Sequence, residues 1–202
     1  MAGWVRKGVQ EGVEEVQTTK NLEKKMIQKE QKAAGIKLAL GKAELDAFRQ
    51  KIGVLADDIH TIGVAKTDIP GMQNITFEGA SPKVRKLAGL PDATPGPIKS
   101  PNSNPLFTRH AEEDLANQFV AAVEKLGLTQ ADIEGRTLLM HISNPTGVCN
   151  VCRQGIKNPN VKPGVLKQLS EKYPRLTIKV TVESGGVKGG TELLILNGKF
   201  VD

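Results

Sequence analysis

Extended and helical patterns alternate along residues 61–196, which predicts an α/β domain. Residues 176–182 (Leu-Thr-Ile-Lys-Val-Thr-Val) alternate apolar and polar side chains with the period of a half-buried strand. Residues 109–126 place Leu115, Phe119, Ala122 and Val123 at helical spacing and stop at Gly127. The connection holding Gly185, Gly186, Gly189 and Gly190 is too short to cross over a sheet, so residues 191–196 must return antiparallel to residues 176–182.

Taken in order, residues 8–33 are rich in Glu, Lys and Gln with sparse apolar positions, the pattern of an exposed helix. A second helical run covers residues 42–59, with Leu45, Phe48, Ile52 and Leu55 on one side. Residues 1–60 therefore read as a helical extension, linker or packing element, and residues 61–202 as the domain proper. Residues 61–66 read as a strand, 68–71 as a turn and 74–78 as its antiparallel partner. Residues 80–106 hold six prolines and little periodicity, which predicts a long functional loop. The helix over 109–126 follows, then an apolar strand over 136–142. A short helix is expected from Cys149 to about Ile156, and another over 164–173, ending before Pro174. The chain has no internal repeat.

With 39% hydrophobic and 3% aromatic residues, the core must be built mainly from Leu, Ile, Val and Ala. The formal charge of +6 suits a polyanionic partner, and its distribution says more than its total. Residues 153–188 carry Arg153, Lys157, Lys162, Lys167, Lys172, Arg175, Lys179 and Lys188 against Glu171 and Glu183, an excess lying where a phosphate backbone could be held. No apolar stretch approaches the roughly 18 residues of a membrane span, and the first residues do not begin a secretory signal peptide.

Both cysteines of the chain lie in residues 145–152, Pro-Thr-Gly-Val-Cys-Asn-Val-Cys, and residues 110–112 are His-Ala-Glu. One histidine, two cysteines three apart and an uncoordinated glutamate form the two halves of a zinc-deaminase signature. His110, Cys149 and Cys152 are the expected zinc ligands and Glu112 the catalytic proton carrier. His110 is expected in the first turn of one helix and the cysteines at the start of another, so both helix amino termini would favour anionic groups at the metal. Zinc in such a set activates water near neutral pH, and Glu112 would move protons from that water to the ring nitrogen and to departing ammonia. His141 reads as a packed or hydrogen-bonded strand histidine, His60 has no partner pattern, and Glu113 and Asp114 occupy the negatively favoured first turn.

Residues 104–112 (Asn-Pro-Leu-Phe-Thr-Arg-His-Ala-Glu) together with 143–152 (Ser-Asn-Pro-Thr-Gly-Val-Cys-Asn-Val-Cys) resemble the bacterial polymorphic-toxin branch of the cytidine deaminase-like superfamily, which includes double-stranded-DNA cytosine deaminases. The resemblance covers about residues 61–196. Three residues separate Pro145 from Cys149, a departure from the commoner Pro-Cys-x-x-Cys that points to the toxin branch. It implies a three-layer α-β-α fold with a mixed five-stranded sheet whose last two strands are antiparallel. It also implies Zn²⁺ and hydrolytic deamination of cytosine to uracil in nucleic acid, DNA favoured over RNA. The chain would be the toxin domain of a secreted or delivered effector acting in the recipient cytoplasm. It would be neutralised by an immunity protein, with no membrane partner and residues 1–60 the tail of that effector. Ser143 and Asn144 would line the base pocket, the former through its carbonyl, while Phe107 and Arg109 would stack on a base or reach a phosphate. Phe107 as core and Arg109 as a surface residue are equally open readings. So are two other functions: deamination of a free nucleoside or of adenine in RNA, and a zinc-binding module without turnover.

Overall fold

A computed structural model describes residues 38–55, 61–104, 108–144, 147–183 and 192–201. The expected helix over 8–33, His60, Phe107, Pro145, Lys188 and the glycine connection before residue 192 lie outside the described residues. The compact unit that contains the sheet runs from Leu38 to Asp202.

Helix α1 (Lys42–Ile52) is followed by strands β1 (Ile62–Thr67) and β2 (Phe77–Ala80) and helix α2 (Pro82–Leu87). Helix α3 (Ala111–Lys125), a single turn α4 (Gln130–Ile133) and β3 (Thr137–Ile142) come next. Helix α5 (Val165–Lys172), β4 (Thr177–Val182), β5 (Glu192–Leu196) and β6 (Lys199–Phe200) complete the order. The strands form one mixed sheet in the order β2-β1-β3-β4-β5-β6. Only β3 and β4 are parallel, and the crossover between them carries both cysteines and α5.

The sheet has six strands, not five. β6 is a two-residue return made possible by Asn197 (φ 49°) and Gly198 (φ 71°), the left-handed pair that a tight hairpin turn needs. The 80–106 segment is likewise not all loop: Ser81 and Pro82 start α2, with proline in the first turn, where its missing N–H costs nothing. Helix α1 stops at Ile52, earlier than its apolar spacing predicts, because Gly53 takes a left-handed C-cap.

Side-chain alternation assigns the two faces. Ala65, Leu138, Met140, Ile142, Ile178 and Val180 pack with Leu115, Phe119, Leu166 and Leu169 of α3 and α5. Phe119 sits edge-on between Phe77 and Tyr173 at 6.0 and 5.6 Å. On the other face Ile62, Val64 and Ala80 pack with Leu45, Phe48 and Val84 of α1 and α2. Strand β3 is buried on both faces except at its first residue, whereas β4 alternates, as its sequence predicts. His141, on the α1 face of β3, hydrogen-bonds Thr181 Oγ1 through Nδ1 at 2.7 Å, a packed strand histidine as expected.

Helix α1, which the sequence places in the extension, is fixed to the sheet by a buried ion pair. Arg49 is 5% exposed and donates both guanidinium nitrogens to Glu183, just past β4, at 2.9 and 2.5 Å. It also donates to Asp46 at 2.7 Å. The guanidinium holds the Glu183 carboxyl below the usual carboxylate range. Glu183→Gln should therefore cost about 1.5–3 kcal/mol of stability near neutral pH. With the folded pKa below the unfolded one, that contribution is complete above about pH 4.3 and is lost as pH falls through the folded value. Urea denaturation of both proteins should show the wild-type advantage at about pH 7 shrinking by about pH 3. An equal advantage at both pH values contradicts the pairing.

Candidate metal centre

Two glycines bring the first half of the motif to the sheet. Gly63 and Gly79 are register partners on neighbouring strands, and Gly63 also opposes Ile142 at the end of β3. A Cβ on Gly79 would lie 2.6 Å from the Ala111 carbonyl, and one on Gly63 would lie 2.9 Å from Leu115 Cδ1. The first turn of α3 thus rests on bare backbone beside the carboxyl end of β3. Arg109 enters the helix at φ 55°, a strained conformation for a side chain of its size, and its amide donates to Glu113 Oε2 at 3.0 Å. His110 follows as the N-cap in an extended conformation, not in the first turn as the sequence suggests.

The cysteine segment is not the expected helix either. Arg153 N–H donates to the Cys149 carbonyl at 3.1 Å, an isolated i→i+4 bond in a run of turns. Gly147 (φ 88°) and Gly155 (φ 84°) bracket the run with conformations a helix cannot contain. One helix amino terminus, that of α3, therefore faces the cluster, rather than two. The segment takes its shape from α5: Leu166 N–H donates to the Cys152 carbonyl at 2.9 Å and Gly164 N–H to the Gln154 carbonyl at 2.8 Å. A Cβ on Gly164 would meet Val151 O at 2.3 Å, Cys152 O at 2.7 Å and Gln154 N at 2.8 Å. These are backbone atoms that cannot step aside without moving Cys152.

These contacts bring His110, Cys149 and Cys152 together, with one ligand atom from each lying within 4.8 Å of the others. His110 Nδ1 and Cys152 Sγ are 3.6 Å apart. Tetrahedral zinc with Zn–N of about 2.0–2.1 Å and Zn–S of about 2.3 Å separates such a pair by about 3.6 Å. The group can hold a metal ion and is compatible with zinc. The hydrogen bond from Cys152, aided by His110, pulls the Cys149 thiol down to about 4, and the same bond together with burial pushes the Cys152 thiol up.

Glu112 points inward from the same turn and is 1% exposed. Its two carboxylate oxygens are the only buried side-chain polar atoms without a hydrogen-bond partner among the described residues. Burial pushes its carboxyl up, against the pull of the nearby Glu112 and Cys149 amides. A buried carboxyl so placed costs stability.

The remaining expected residues make local contacts. The Ser143 hydroxyl accepts the Ile62 N–H at 3.0 Å and closes the β1–β3 ladder, while the Asn144 carbonyl accepts Gly147 N–H at 3.1 Å. Arg109 is exposed, 3.9 Å from Asp92, and lines a cavity of about 690 Å³ between residues 92–100 and α3. Glu113 and Asp114 do more than sit in the first turn. Glu113 accepts the Ser100 and Arg109 amides, and Asp114 accepts the Thr94 amide at 3.0 Å and pairs with Arg85.

The basic stretch after Cys152 does not form one free face. Lys167 pairs with Glu171, Lys172 with Glu124, Arg175 with Glu134 and Lys179 with Glu192. Gly63, Gly79 and Gly164 are the positioning residues that the motif reading misses; the two glycines inside strands were the available signal. No helix among the described residues is long and apolar enough to cross a membrane.

No family model matches the chain, and neither the curated proteins nor the solved structures contain a match.

Gly164→Ala should weaken zinc binding by about 10- to 100-fold, the range seen when a group supporting a ligand is removed. Gly41→Ala adds a Cβ with nothing within 4 Å and should leave the affinity unchanged. Competition with a chelator on both variants checks this, and equal affinities contradict the clamp.

Proposed function

We propose that this chain is a zinc-dependent hydrolytic deaminase that converts cytosine to uracil in nucleic acid, with DNA favoured over RNA. The observation that carries the reading is Glu112: a buried, unpartnered carboxyl beside a three-ligand cluster. A purely structural zinc site needs four protein ligands and no such acid. The strand that ends at the cysteine segment, the helix that begins at His110 and the parallel β3–β4 pair support a cytidine deaminase-like fold. The resemblance of residues 104–112 and 143–152 to the toxin branch extends the proposal to a delivered bacterial effector with a cognate immunity protein.

His110, Cys149 and Cys152 would hold the ion, which when bound supplies an activated water at neutral pH. Glu112 takes a proton from that water and delivers it to N3 of the base. It then transfers a second proton to the exocyclic nitrogen at C4, so that water and cytosine leave as uracil and ammonia. The α3 amino terminus favours negative charge beside the cluster. The Ser143 backbone carbonyl and Asn144 are assigned to the base, and Arg109 to a phosphate.

Zinc-loaded protein incubated with single- and double-stranded DNA and RNA should produce C-to-U changes readable by sequencing. Glu112→Ala should lower the rate by at least about 10²-fold while retaining stoichiometric zinc. Stripping the zinc should abolish turnover and readdition restore it. No conversion above the Glu112→Ala background in any of these substrates, with zinc bound, overturns the reading.

A further inference from the structure

Among the described cationic residues of the basic stretch that follows the cysteines, four lie beside a carboxylate, Arg153 and Lys157 line one groove, and Lys162 belongs to neither set. Lys167, Lys172, Arg175 and Lys179 each lie within 4.0 Å of a neighbouring carboxylate. Arg153 and Lys157 make no ion pair among the described residues. Arg153 donates through Nε and Nη2 to Asn150 Oδ1 at 3.1 and 2.6 Å, a neutral acceptor that orients the guanidinium and leaves its charge in place. Lys157 Nζ lies 5.8 Å from the centre of the Phe200 ring. Asn150, Arg153, Gln154, Lys157, Asn158 and Phe200 line a groove of about 260 Å³ whose lining holds no carboxylate. Two cations, three carboxamides and an aromatic ring match the chemistry of a phosphodiester backbone with a base beside it.

The position of the groove fits the same ligand. Asn150 follows Cys149 and Arg153 follows Cys152, so the surface belongs to the segment that would hold the ion. A free nucleoside at the cluster has no phosphate to offer this groove, whereas a polynucleotide has one on either side of the reacting base.

We propose that this groove binds the backbone of a single-stranded polynucleotide, with Arg153 and Lys157 on its phosphates and Phe200 against a base. The inference rests on the nucleic-acid deaminase reading and assigns it a docking surface. It places phosphate contacts at the start of the basic stretch and leaves Lys167, Lys172, Arg175 and Lys179, each beside a carboxylate, outside the interface.

Zinc-loaded protein titrated with single-stranded oligothymidylate, which contains no cytosine, and separately with oligouridylate tests this. Anisotropy is read from about 50 to 200 mM salt. Replacing both Arg153 and Lys157 by Ala should reduce the slope of log K against log salt by about 1.4, two contacts at about 0.7 each. Replacing Lys172 and Arg175 removes the same charge elsewhere and should leave the slope unchanged. Phe200→Leu should weaken binding by about 5-fold or more with the slope intact. Zinc content and melting temperature verify that each variant is folded.

Absence of binding by the wild type, or equal slope changes in the two double variants, overturns the groove. Turnover on cytosine-containing strands is read separately. Turnover with no slope change leaves the deaminase and removes the groove. A slope change without turnover upholds the groove and removes the enzyme.

Discussion

The close approach of α3 to the glycines of β1 and β2 is the contact on which the rest of the centre depends. Strands must sit about 4.8 Å apart, and a helix normally rides about 10 Å above them on its side chains. At Gly63 and Gly79 that spacing collapses, and the Ala111 carbonyl comes down almost onto the strand. His110 and Glu112, on either side of Ala111, are lowered with it. Any side chain at Gly79 would lift the first turn and carry both away from the cysteines.

The helix so lowered must also satisfy the backbone of an irregular, proline-rich segment around it. Asn117 of α3 does this by acting as a one-residue strand, as does Gln168 of α5 for the same segment and Gln118 of α3 for strand β2. Asn117 both donates to and accepts from Ile98, Gln118 does the same with Glu78, and Gln168 with Lys99. Gln168 also donates to the Pro163 carbonyl, tying the loop before α3 to the start of α5. Buried amides left unpaired would each cost about 1–3 kcal/mol. The polar residues of α3 therefore fix the loop that frames Arg109 and the cluster, while its apolar face supplies the core.

Much of this was readable from the chain. Period-two alternation marked β4 because one of its faces is polar, and the apolar run marked β3 because both of its faces are buried. The candidate ligands were readable because the chemistry permits few spacings. The conformations of those ligands were not. Cys149 to Ile156 has helical composition, yet left-handed glycines and the demands of α5 make it a run of turns. Helix α2 was hidden by the prolines around it, although Ser81-Pro82 is a start signal, and β6 is too short to show any period. Which cations stay unpaired is a tertiary property: Lys172 and Lys157 look alike in the sequence, and only folding gives one of them a Glu124.

The turn segment that borrows its geometry from α5 has a thermodynamic consequence. An ion held by His110, Cys149 and Cys152 would join α3 to that segment, which is already bonded to α5 through Cys152 and Leu166. Its binding free energy would be felt by all three elements, and linkage requires the debt to run both ways. Conditions that loosen α5, though it carries no ligand, would loosen the ion by the same factor. Metal supply and the rigidity of the sheet's parallel crossover would then be two readings of a single equilibrium.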